Sequence, residues 1–148
     1  MSMDVEIIRI GQDEKELVQI RCRAVSEEVR EIEAFVRSRQ GRISGVRDER
    51  QYEIAVSELY YIESVDGRTF LYTKDEVYET SARVYELEER LRAKHFLRVS
   101  KSMLLNLMKI GAIRPALNGR LAAELSSGEE VIISRSYVKE LKRALRGE

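Results

Sequence analysis

Asp66-Gly67 is the dipeptide that most narrows what this chain can fold into. It separates two alternating runs, ELYYIESV and RTFLYT, and a two-residue turn of this type demands positive φ at both positions, which Asp tolerates and Gly adopts freely. The spacing predicts a tight β-hairpin. The same punctuation recurs along the chain. Tyr52, Ile54 and Val56 alternate with polar residues, Lys74-Asp75-Glu76 reads as a turn before Val77–Thr80, and Asn118-Gly119 and Ser127-Gly128 divide Ala112–Ile133 into short strands.

Helical periodicity appears in three places. Ser26 is placed to cap a helix carrying Val29, Ile32, Phe35 and Val36 on one face, with Gly41 as its stop. SARVYELEERLRA places Val84, Leu87 and Leu91 inward, with Ser81 as the expected cap, and SRSYVKELKRALR carries Val138, Leu141 and Leu145. Upstream, DVEIIRI and ELVQIRCRA flank GQDEKE and read as two strands joined by a short loop. The expected fold is therefore α+β and mainly β, with short antiparallel strands, preceded by a ββα element. The Gly-rich and charged stretch Arg39–Arg50 is the expected seam, dividing residues 1–45 from residues 46–148.

Charge is distributed unevenly in a chain whose net charge is zero. Residues 96–148 hold ten Lys and Arg against five acids, net +5, so the first 95 residues hold 26 − 10 = 16 against 26 − 5 = 21, net −5. From Arg90 to Ala123 there are eight basic residues (Arg90, Arg92, Lys94, Arg98, Lys101, Lys109, Arg114, Arg120) and no carboxylate. At the centre of this stretch, Phe96–Asn106 (FLRVSKSMLLN) mixes Arg98, Ser100, Lys101 and Ser102 with Phe96, Val99, Met103, Leu104 and Leu105. It reads as a strand end, a loop and a short helical turn. Such asymmetry suits a face that meets a polyanion.

Other chemistry has little to work with. No apolar run approaches the roughly 18 residues of a membrane span, and Asp4 and Glu6 interrupt any leader pattern, which points to the cytoplasm. Cys22 is alone, so neither a disulfide framework nor a thiolate metal site is expected, and its alternating context predicts a small buried thiol. His95 is the single histidine and has no second ligand at metal spacing; a structural or solvent-facing role is expected. No G-x-S-x-G, Walker or G-x-G-x-x-G motif is present, and the carboxylates cluster on helix surfaces. The residues predict no enzyme, metal or cofactor. Tyr52, Tyr60, Tyr61, Tyr72, Tyr78 and Tyr85 are expected to pack in or beside the core.

What remains is a set of basic and hydroxyl residues at element ends: Arg68-Thr69, Arg98 to Ser102, and Ser134 to Lys139. Guanidinium and ammonium groups neutralise phosphates, and hydroxyls position them, so a nucleic acid is the expected partner. The reading from another class is a protein-interaction or ligand-sensing module with a solvated basic face. RNA is a weaker third, because no interleaved aromatic platform is visible.

The ordered set YIES-x-DGR, F-x-R-V-x-x-S-x-x-x-N, a Gly-Glu turn and I-S-R-S-Y, over roughly residues 50–146, resembles the LytTR-type DNA-binding domain of bacterial transcription regulators. The resemblance implies small stacked antiparallel sheets with a few helices, and loops that enter successive major grooves of double-stranded DNA without a helix-turn-helix. It carries Arg68 and Thr69 to a first DNA-contacting loop, Arg98, Lys101 and Ser102 to a second, and Ser134, Arg135, Ser136 and Lys139 to a third. Arg68, Lys101 and the Arg135/Ser136 pair match positions that approach base edges; Arg98, Ser102, Ser134 and Lys139 match those that hold phosphates. It further implies a homodimer on DNA. The roughly 50 preceding residues are too few for a phosphoacceptor receiver domain, so the chain resembles stand-alone regulators restrained by a small membrane protein rather than by phosphorylation.

Overall fold

The computed structural model describes residues 3–39 and 41–147, without the side chains of residues 37–39. The chain divides into two units, Met1–Arg39 and Gln40–Glu148.

In the first unit, helix α1 spans Glu27–Arg39. The Ser26 hydroxyl accepts the Val29 N–H at 3.2 Å, which is the expected cap. The two strands expected before it are not formed. Residues 3–26 hold no strand or helix, only a turn in which the Glu14 N–H meets the Gly11 carbonyl at 3.2 Å. An isolated two-stranded hairpin is marginal in water, and neither run has a third strand beside it in this unit. Cys22 lies in this segment and is exposed, which corrects the expectation of a buried thiol.

The second unit holds two antiparallel sheets. The larger has seven strands in the order β2-β1-β5-β4-β3-β7-β6. These are β1 (Arg42–Arg47), β2 (Arg50–Ala55), β3 (Tyr61–Val65), β4 (Arg68–Tyr72), β5 (Val77–Thr80), β6 (Phe96–Ser100) and β7 (Met103–Asn106). The smaller has the order β10-β9-β8, from β8 (Ile110–Pro115), β9 (Leu121–Leu125) and β10 (Glu130–Ile133). Helix α2 (Val84–Leu91) follows β5, and α3 (Val138–Leu145) closes the unit. The expected boundary at residue 45 falls inside β1, so the seam stretch Arg39–Arg50 is largely a strand and turn of the second unit.

Alternation along the large sheet sorts its side chains into two cores. Ile62 sits opposite both Leu71 and Leu104, and these pack with Leu87 and Leu91 of α2. One residue earlier, Tyr61 sits opposite Tyr72 and Leu105, and this face packs against the small sheet and α3 through Leu121, Leu125, Ile133 and Leu141. The period of two thus produces a sandwich with the seven-stranded sheet in the middle. Ile62, Leu71, Leu104 and Leu105 are fully buried, each contributing roughly 1.5–3 kcal/mol over exposure. Buried Asn106 is satisfied: its Nδ2 donates to the Leu59 carbonyl at 2.8 Å, and its Oδ1 accepts the Met108 N–H at 3.0 Å.

The mainly β, α+β architecture agrees with the sequence. Several local expectations change. Phe96–Asn106 is a complete β-hairpin, with its turn at residues 101 and 102, and the helical turn comes afterwards at Leu107–Lys109. Helix α2 starts three residues past Ser81, where the Glu86 carboxylate accepts the Arg83 N–H at 3.3 Å. Tyr85 and Leu145 are exposed rather than packed. His95 is exposed, as expected, with φ of 67°.

Candidate nucleic-acid interface

The Asp66-Gly67 turn forms as its residues require, with φ of 52° and 77°. It brings β3 into register with β4 so that Val65 faces Arg68. β3 also pairs with β7, with Glu63 opposite Met103, and beyond that pair the Ser64 N–H donates to the Ser102 carbonyl at 2.8 Å. The tips of the β3–β4 and β6–β7 hairpins therefore emerge side by side from one end of the large sheet.

The third segment is tied to the same place by an irregularity. The β6–β7 register shifts between Arg98 and Ser100, which leaves Val99 without a ladder partner. The Val99 carbonyl instead accepts the Ser134 N–H at 2.9 Å, holding the start of the segment that leads into α3. The next link is internal: the Tyr137 N–H returns to the Ser134 carbonyl at 2.9 Å. Two backbone hydrogen bonds thus chain together three segments that are far apart in sequence.

Within this frame the side chains differ in what they are free to do. Lys101 is exposed at the tip of the β6–β7 turn, and its ammonium has no partner among the described residues. Ser136 and Lys139 are exposed as well. Arg135 lies across the β8–β9 turn: Gly119 has φ of +75°, and a Cβ there would stand 2.9 Å from the Arg135 Cδ. This close approach places Arg120, the next residue, beside the third segment. Ser102 is half-buried, and its N–H donates to the Ser100 hydroxyl at 3.2 Å, so these two serines set the turn.

Arg68 is exposed but engaged. Its Nε and Nη2 donate to the two Glu79 carboxylate oxygens at 3.0 and 2.6 Å, and its guanidinium sits 5.3 Å from the centre of the Phe70 ring. This fork holds the Glu79 carboxyl below its ordinary range and Arg68 above its own. Arg98 is turned inward. It donates to the Lys101 carbonyl and, at 3.3 Å, to Glu88 of α2, so it braces the hairpin whose tip carries Lys101.

One residue expected on the first loop lies in the sheet instead: Thr69 is 3% exposed, in the middle of the β3-β4-β5 ladder between Ser64 and Thr80. Sequence reasoning also missed Glu79 and Glu88. Nothing in their spacing points to Arg68 and Arg98, because the β4–β5 register and the packing of α2 on the sheet create both pairs. Arg120 was legible only as one of many cations.

Among the described residues no group of three or more His, Cys, Asp or Glu could hold a metal, and no helix is long and apolar enough to cross a membrane.

Comparison with known proteins decides what this frame belongs to. The family of the LytTr DNA-binding domain matches residues 49–146, which covers both sheets from β2 onward and α3. The chain belongs to the LytTR family. That family is a DNA-binding domain family rather than an enzyme family. The chain is 32% identical over 98 residues to the sensory transduction protein LytT of Enterococcus faecalis, covering 66% of this chain and 40% of that protein. It is 35% identical over 104 residues to the transcriptional regulatory protein YpdB of Escherichia coli K12, covering 70% of this chain and 43% of that one. The chain thus spans well under half the length of these curated relatives. Among solved structures, a LytTr DNA-binding domain from Bacillus cereus superposes with a TM-score of 0.68 at 22% identity, over 72% of this chain and 97% of that domain. The LytTR fold expected from the ordered motifs is the fold found.

Proposed function

We propose that this LytTR chain is a cytoplasmic transcription regulator that binds double-stranded DNA sequence-specifically, placing loops in successive major grooves. The observation that carries the reading is the pair of backbone hydrogen bonds, Ser64 to Ser102 and Ser134 to Val99, which gathers Arg68, Lys101 and the Ser134–Lys139 segment at one end of the sandwich. Lys101, Arg135 and Ser136 reach base edges; Ser102, Ser134 and Lys139 hold phosphates. Arg68 joins the base-reading set once a base or phosphate replaces Glu79 as its acceptor. Arg98 acts by positioning Lys101, not by touching DNA.

Two copies bind a repeated site, with the unit Met1–Arg39 serving association or regulation. A small membrane protein restrains the regulator. A pull-down of the full chain with candidate membrane proteins checks the last point, and absence of any association removes it. Selecting duplexes from random fragments with the purified protein tests the main reading: recovery of one repeated motif supports it, and a collection without shared sequence contradicts it.

A further inference from the structure

The turn between β8 and β9 stands at the same end of the small sheet as the third segment. Leu121 sits opposite both Pro115 and Ile133, so the strand ends that lead into residues 116–120 and into Ser134 are neighbours. Ser134 is in turn held to Val99. The approach continues past the sheet: Gly119, with φ of +75°, passes so near Arg135 that a Cβ on it would stand 2.9 Å from Cδ and 3.1 Å from Cγ. A fourth loop therefore reaches the edge that carries the other three.

Arg120 supplies the chemistry of that loop. It is exposed, and the Leu117 carbonyl accepts its N–H at 3.3 Å and its Nε at 3.1 Å, which folds the side chain back along its own turn. The two Nη groups have no partner among the described residues. A planar fork suits the free oxygens of a phosphodiester, and a side chain already held loses less freedom when it binds one.

Charge sets Arg120 apart from other arginines of the two sheets. Arg68, Arg98 and Arg114 each meet a carboxylate, those of Glu79, Glu88 and Glu130, at 2.6, 3.3 and 2.7 Å. Neither residues 111–123 nor residues 131–139 contain an acid, and Arg120 and Arg135 make no ion pair among the described residues. The turn thus brings two cationic segments together without a counter-charge of their own, which is the arrangement a polyanion completes.

We infer that the β8–β9 turn is a fourth DNA-contacting element, in which Arg120 holds a backbone phosphate adjoining those met by Ser134–Lys139. This deepens the reading of the DNA edge and rests on it. Arg120 adds affinity without sequence preference, because a phosphate contact carries no base information.

Two measurements on the full chain and a selected duplex test the contact. The log K against log salt slope is expected to be shallower by about 0.9 for Arg120→Ala, with the discrimination against single base-pair changes kept at the wild-type ratio. Phosphate ethylation interference, which finds the individual phosphates whose esterification blocks binding, is expected to lose one position in this variant, beside those lost in Lys139→Ala. An unchanged slope and interference pattern overturns the fourth contact and leaves the other three standing. A shallower slope with every interference position retained marks a long-range charge effect and overturns it too. So does relaxed base discrimination, which is what a residue that only positions Arg135 produces. Wild-type binding indifferent to salt would instead remove the DNA reading, and this inference with it.

Discussion

The carbonyl of Val99 and the amide of Ser134, 35 residues apart in the chain, meet at 2.9 Å because a bulge in β6 withdraws Val99 from its own ladder. Val99 is fully buried, so this carbonyl has no water to fall back on. The consequence can be tested, because Ser134 has φ of −62° and ψ of 145°, a conformation that proline also takes. Ser134→Pro suits this φ and ψ, but it removes the donor and the hydroxyl and sets the ring Cδ against the Val99 carbonyl. It is expected to cost about 1–3 kcal/mol in a urea titration and to weaken DNA binding as the third segment loosens. Ser134→Ala, which keeps the N–H, leaves stability within about 0.5 kcal/mol of the wild type.

Arg98 and Lys101 are three residues apart and have different expected roles. Arg98→Ala removes the brace on the Lys101 carbonyl and the pair with Glu88, and is expected to lower stability by about 1–3 kcal/mol while weakening binding to all duplexes. Lys101→Ala is expected to leave the melting curve unchanged and to relax preference at one base step by about 1–3 kcal/mol. Equal stability loss in both would show that Lys101 is part of the scaffold.

On the proposed reading, a base or phosphate would have to displace Glu79 from Arg68. Glu79→Gln removes the acceptor carboxylate and raises the local charge by one, so the variant is expected to bind duplex DNA more tightly at low salt. Its log K against log salt plot is expected to steepen by about 0.9, the contribution of one additional phosphate contact. An unchanged slope would mean that Arg68 does not face the duplex.

Glu63 lies on the sheet face toward Glu129, and burial together with that neighbouring carboxylate raises its carboxyl above the ordinary range. The sign follows from proton uptake. The folded state binds the proton more tightly than the unfolded chain, so the stabilisation is complete below the ordinary Glu value of 4.5 and is lost as pH rises through the folded value. Glu63→Gln is therefore expected to be more stable than the wild type at pH 7, with the difference shrinking as the pH approaches 4.5. Thermal denaturation across that range checks it.

The turns and the strands they join could be read from the chain because their chemistry is local. Asp66-Gly67 needs positive φ, Asn118-Gly119 and Ser127-Gly128 sit between short alternating runs, and Val84, Leu87 and Leu91 repeat at helical spacing. The cationic tips were legible for the same reason, since Lys101 and Lys139 stand in polar stretches at element ends. What the chain did not disclose depends on tertiary register. The burial of Thr69 follows from β4 being flanked on both sides by β3 and β5, and the capture of Arg68 by Glu79 follows from the β4–β5 pairing. Alternation misled at residues 4–25, where a strand pattern is present but a strand needs a partner, and this unit supplies none.

The central claim is that three segments joined by the Ser64–Ser102 and Ser134–Val99 hydrogen bonds form one phosphate-binding edge. The most direct measurement is the salt dependence of binding to a selected duplex for the wild type and for the Lys101→Ala/Lys139→Ala variant. The account predicts a steep loss of wild-type affinity with rising salt, and a slope shallower by about 0.9 for each lysine that neutralises a phosphate, up to roughly 1.8 for both. Identical slopes for the two proteins, or a wild-type affinity indifferent to salt, would contradict it.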